Sequence, residues 1–190
     1  MNYFRFLIGF MGMLLVSACA PAQPAPSAPA ALASAVPTEE PAPVWLSVPV
    51  VDASTGKSFT VSDLKGKVAL IEGMATWCPS CWAQGIEIKK LYELLGKETD
   101  LVTISLTLDS NEDAQALNEY AKIDNFQWQF VTSTLPMFHD IGNRYGALYL
   151  DPTLGPFLVV DRKGNVTNFE SGLKTAPDLK KMLDPLLNGG

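Results

Sequence analysis

The stretch "EGMATWCPSCWAQG", Glu72–Gly85, sets two cysteines three positions apart, with a tryptophan before the first, a proline after it and an acid six residues upstream. An apolar run, Val68–Ile71, leads into it. From Pro79 to Leu95 the apolar residues Ile86, Ile88, Leu91, Leu94 and Leu95 fall near helical spacing, with Lys89, Lys90 and Glu93 between them. The pattern predicts a buried strand followed by a helix that starts at Pro79 and stops at Gly96. Cys78 then sits at a helix N-terminus, where unpaired backbone N–H groups and the positive end of the dipole stabilise a thiolate. Pro79 suits the first helical position, whose N–H is not needed, and Cys81, one turn on, can reach back to resolve a mixed disulfide.

A Cys-x-x-Cys pair between a strand and a helix reads as a redox motif. Cys78 is the expected nucleophile and Cys81 the resolving thiol, framed by Trp77, Pro79 and Ser80. A purely structural disulfide closing so short a loop would remove little chain entropy. Half of a zinc site would need two more ligands, and Cys19 and the single His139 lie far off in sequence. No metal and no other cofactor is therefore expected. An inert buried pair stays open as the bland alternative.

Working outward, Ser47–Asp52 reads as a short strand and Ser62–Lys65 as one helical turn. Leu101–Leu108 is a second buried strand, and Asn111–Ile123 a helix with Glu112 and Asp113 in its first turn, where the dipole favours acids. Phe126–Thr132 is a short strand and Leu135–Tyr145 a weak helix. Phe157–Asp161 and Asn165–Glu170 flank "RKGN" as a hairpin, and Pro177–Leu187 is an amphipathic helix. This order fits one α/β layer arrangement, a central mixed sheet with parallel strands early, an antiparallel hairpin late, and helices on both faces.

The N-terminal part reads differently. Arg5 precedes an apolar run, Phe6–Val16, too short to span a bilayer comfortably, and small residues follow it. "LVSAC", Leu15–Cys19, resembles the bacterial lipobox, which implies cleavage before Cys19 and lipidation of its thiol. Residues 20–43 are rich in Pro, Ala and Ser with almost nothing to bury, the composition of an extended spacer. The expected organisation is a signal peptide over 1–18, a lipidated cysteine and tether over 19–45, and a folded domain over 46–190. The chain has 47% hydrophobic and 18% charged residues and a net charge of −6, which becomes more negative once Arg5 is removed. That balance argues against nucleic acid and against electrostatic adhesion to an anionic membrane.

"ATWCPSCWAQ" (Ala75–Gln84), with "DLKGKVALIEG" before it and "FLVVDRKGNV" (Phe157–Val166) far downstream, resembles the membrane-anchored thioredoxins of the TlpA and ResA type. The resemblance runs from about Val50 to the C-terminus. It implies a thioredoxin-like three-layer fold, a monomer outside the cytoplasm, and thiol:disulfide exchange with exported proteins, commonly apocytochromes or copper-centre proteins. It also implies a membrane thiol transporter as electron donor.

Two features of the resemblance bear on Glu72. Thioredoxins carry a buried Asp at this position, and the TlpA and ResA type usually an Asn. A carboxyl within a strand of Val68, Ala69, Leu70 and Ile71 would be desolvated, its pKa would rise, and it could take the proton of Cys81 when a mixed disulfide resolves. The lysine that faces the acid in thioredoxin corresponds to Ser105, and a Glu common in ResA-type proteins corresponds to Gln84. The family also implies a cis-proline facing the disulfide, for which Pro156 is favoured over Pro152, leaving "ALYLDPTLG" as a small insertion beside the active site. Two other functions stay in view: copper binding and hand-over, with His139 beside the cysteines, and oxidation or isomerisation of exported proteins. The Pro79-Ser80 dipeptide lacks a histidine to stabilise the thiolate further, which favours a reductant.

Overall fold

The computed structural model describes residues 41–96 and 100–189. The signal segment, Cys19 and the tether up to position 40 lie outside the described residues.

A short hairpin, β1 (Val50–Val51) with β2 (Ser58–Phe59), precedes β3 (Val68–Met74), the middle of the main sheet. All seven residues of β3 are buried, as a central strand covered on both faces requires. It pairs in parallel with β4 (Leu101–Thr107), which pairs in parallel with β5 (Gln129–Thr132). On its other side β3 pairs antiparallel with β6 (Phe157–Val160), which forms the late hairpin with β7 (Val166–Phe169). The order β5-β4-β3-β6-β7 is a mixed sheet with its parallel half early and its antiparallel half late.

Strand alternation divides the core. Val68, Leu70 and Met74 join a cluster with α1 (Pro79–Leu95), α2 (Ala114–Ile123) and α4 (Ala176–Asn188). Ala69 and Ile71 point to the other face, against α3 (Leu135–Tyr145) and the N-terminal turn carrying Trp45. This is the thioredoxin-like three-layer arrangement.

Four differences from the sequence expectations have physical causes. Trp45 is fully buried, and its backbone N–H donates to Asp140 Oδ2 at 2.9 Å, so it belongs to the folded part rather than to the tether. The expected strand Ser47–Asp52 shrinks to Val50–Val51, because a 3-10 turn over Val44–Ser47 seats Trp45 and Leu46 in the core. The expected strand Phe126–Thr132 begins only at Gln129, because Phe126 and Trp128 turn inward to pack ring on ring at 4.9 Å. Helix α2 starts three residues late, with Asp113 as its cap, accepting from Ala116 N, and Glu112 outside it. Helices α1 and α3 have the expected bounds.

Candidate active site

Cys78 caps α1 with its own sulfur. Its backbone is extended, Cys81 N donates to Cys78 Sγ at 3.2 Å, and Pro79 follows at the first helical position. No acid stands in the first turn, so nothing competes with negative charge on sulfur at the positive end of the helix. Cys78 and Cys81 are joined as a disulfide, with Cα atoms 5.2 Å apart. The Ser80 hydroxyl lies 3.2 Å from Cys78 Sγ and 3.4 Å from the Thr153 carbonyl, either of which can take its single proton. Trp77 is exposed, and its indole N–H donates to Asp109 Oδ2 at 2.7 Å.

Behind the cysteines lies Glu72. Its place in β3 puts it on the same sheet face as Leu70, Met74 and the disulfide, and it is 3% exposed. Burial pushes its carboxyl up to about 8, against the Ser105 hydroxyl that donates to Oε2 at 2.8 Å and pulls the other way. Glu72 and Ser105 are register partners across β3 and β4, the juxtaposition expected from the sequence.

The proline expectation is corrected. Pro152, not Pro156, lies over the sulfurs: its carbonyl oxygen is 3.2 Å from Cys81 Sγ and 3.8 Å from Cys78 Sγ. No cis peptide bond occurs among the described residues. Pro156 leads into β6, its carbonyl accepting from Gly73 N at 3.0 Å. Its ring lies so close to Gly73 that a Cβ there would meet Pro156 Cγ at 2.8 Å. The cause is the turn between the two prolines, where Gly155 adopts a left-handed φ of 58° and Gly172 N donates back to the Leu154 carbonyl at 2.6 Å. That reversal brings the 3-10 turn Pro152–Leu154 over the disulfide and carries Pro156 away into the sheet.

Two residues have roles that the sequence reading did not assign. Glu112 accepts from Thr76 N at 2.6 Å and from Thr76 Oγ1 at 2.7 Å, and Thr107 Oγ1 donates to its other oxygen, so it holds the loop leading to Cys78. Gln84, buried, donates to the Lys174 carbonyl at 3.0 Å and accepts from Lys174 N at 2.7 Å, tying α1 to the start of α4. That strap needs one donor and one acceptor, which an amide has and a carboxylate lacks. His139 lies on α3, whose buried Met137 and Ile141 face the side of the sheet away from the cysteines. Among the described residues no group of three or more His, Cys, Asp and Glu side chains is placed to hold a metal ion.

A family model described as Redoxin matches residues 27–183. The chain belongs to the Redoxin family. Its solved neighbours share the fold at low identity. A thiol:disulfide interchange protein of the thioredoxin family from Chlorobium tepidum TLS is 21% identical over 74% of this chain and 92% of that one, with a TM-score of 0.57. A secreted Mycobacterium tuberculosis disulfide oxidoreductase homologous to E. coli DsbE is 17% identical, over 74% and 97%, at 0.58. BsSco, a member of the Sco family of cytochrome c oxidase assembly proteins, is 21% identical, over 74% and 91%, at 0.58. No curated protein matches in sequence. With a Cys-x-x-Cys disulfide at the head of α1, this Redoxin-family chain is a thioredoxin-like oxidoreductase.

Proposed function

We propose that the protein is a lipid-anchored thiol:disulfide oxidoreductase of the TlpA and ResA type, working as a monomer outside the cytoplasm to reduce disulfides in exported proteins. The observation that carries this reading is the Cys78–Cys81 disulfide at a helix N-terminus, backed by a buried carboxyl, Glu72, raised to about 8. The lipobox-like Leu15–Cys19 and the Pro/Ala tether support the anchor, with cleavage after position 18. Among the described residues no helix is long and apolar enough to cross a membrane. The secreted Mycobacterium tuberculosis neighbour supports the location. The protein's substrates are apocytochromes or copper-centre proteins, a reading consistent with the Sco neighbour's place in a family of cytochrome c oxidase assembly proteins.

The chemistry runs from the reduced chain. The Cys78 thiolate attacks one sulfur of a substrate disulfide, the substrate S–S bond breaks, and the departing substrate thiolate takes a proton. Cys78 is then held in a mixed disulfide. Glu72 accepts the proton of Cys81, and the Cys81 thiolate attacks Cys78 Sγ. The second substrate sulfur leaves and takes a proton, and the Cys78–Cys81 disulfide remains. The substrate gains two electrons and two protons, and a membrane thiol donor restores the pair.

Equilibration of the full chain against a thiol buffer tests the direction. A reduction potential near that of thioredoxin, about −270 mV, is expected; one near that of DsbA, about −120 mV, would make the protein an oxidant.

A further inference from the structure

The buried strand β4 carries hydroxyls at alternate positions, Thr103, Ser105 and Thr107, all on the face toward α1 and each in a hydrogen bond. The middle one joins two buried side chains. Trp128 Nε1 donates to Ser105 Oγ at 2.9 Å, and Ser105 Oγ donates to Glu72 Oε2 at 2.8 Å. Trp128 is 8% exposed, Ser105 1% and Glu72 3%, so the chain of three lies out of water. We propose that Trp128 and Ser105 are positioning residues that set the proton affinity of Glu72, the indole aiming the serine hydroxyl so that it serves the carboxylate form.

The direction of the chain follows from its donors. An indole N–H can only donate, so it occupies a lone pair of Ser105 Oγ and leaves the serine proton for Glu72. A hydrogen bond to an ionised acceptor is about twice as strong as one to a neutral acceptor, so a fixed donor favours the charged carboxylate over the acid. The indole itself has little freedom. Its ring packs on Phe126 at 4.9 Å, on Phe130 at 5.7 Å and on Tyr92 at 6.1 Å. Tyr92 is held in turn by donating to Thr103 Oγ1 at 2.9 Å.

Among the described residues the surroundings of Glu72 supply no cation to do the same work. Helix α1 brings the cysteines to this cluster, α4 brings Leu179 and Leu183, and β6 brings Phe157 and Val159. Helix α2 brings Tyr120, whose buried hydroxyl has no hydrogen-bond partner among the described residues and is kept protonated by burial and then by repulsion from Glu72, Asp124 and Glu112. Burial alone would raise Glu72 further. The Trp128–Ser105 donor is the counterweight that keeps the carboxyl at about 8, within reach of neutral pH.

This inference rests on the proton-relay role proposed for Glu72, but its test does not depend on turnover. The oxidised full chain, in which neither cysteine titrates, is followed by NMR through the Glu72 carboxyl carbon and the Trp128 indole N–H. In the wild type both signals move with one midpoint, near pH 8. Ser105→Ala raises the Glu72 midpoint by about one unit, and resolution of a mixed disulfide at pH 7 slows roughly tenfold. Ser105→Thr restores the midpoint, and Trp128→Phe, which keeps a packed ring without the N–H, gives a smaller upward shift. The proposal is overturned if the indole signal stays still while Glu72 titrates, a result that needs no variant. It is equally overturned if Ser105→Ala folds and leaves the midpoint in place. If the midpoint moves but neither Ser105→Ala nor Glu72→Gln alters mixed-disulfide release, the tuning stands and the relay role of Glu72 fails.

Discussion

Helices α1 and α4 begin with a proline in the first turn, yet their N-termini are finished in opposite ways. Helix α4 has Thr175 as its cap and Asp178 three residues on, each bonding the other's backbone, with Thr175 Oγ1 also donating to Asp178 Oδ2 at 2.6 Å. Oxygen and a carboxylate fill the positive end of that helix. Helix α1 offers a sulfur in place of the oxygen and has no acid in its first turn. One helix end is closed for stability, and the other is held open for a charge that exists only in the reduced state.

The sharpest way to break the comparison is to remove Cys81. Cys81→Ala should arrest exchange at the Cys78 mixed disulfide, seen by mass spectrometry as a covalent adduct with a disulfide peptide, while turnover falls to background. No change at the head of α4 should do this.

Next in size is Glu72→Gln, expected to slow mixed-disulfide resolution by about a hundredfold and to remove the rate inflection near pH 8. It should also change stability. Because the folded state holds this proton up to about 8 and the unfolded state releases it near 4.5, the protein loses stability as pH rises through that window. Denaturant midpoints of the oxidised chain should therefore decline from pH 5 to 8, and Glu72→Gln should flatten the decline.

Thr175→Ala should cost about 1 kcal/mol in chemical denaturation and leave the reduction potential where it was, since that cap serves only the helix. The smallest effect belongs to Ser80→Ala. Its hydroxyl lies 3.2 Å from Cys78 Sγ and favours the thiolate more than the disulfide sulfur, so its loss should make the potential more negative by roughly 10 to 30 mV.

Local features were legible in the sequence where local physics decides them. The bounds of α1 follow from spacing, a proline and a glycine, and the burial of Glu72 follows from the apolar residues before it. The alternation of hydroxyls in "LVTISLTL" was also in plain view, but a strand pattern does not say which partners will reach it, and Trp128 comes from a segment 23 positions away. Glu112 looked like an acid at a helix start by the dipole rule. Thr76, 36 positions earlier, claims it instead. The choice between Pro152 and Pro156 turned on the backbone of Gly155 and its contact with Gly172, which a linear reading of prolines does not contain.

The Pro152 carbonyl across both sulfurs has one more consequence. Cys78 is 1% exposed and Cys81 4%, so a small thiol diffusing past meets a backbone oxygen before it meets the disulfide. The turn thereby acts as kinetic insulation. Low-molecular-weight thiols and oxidants are expected to equilibrate with the buried pair slowly.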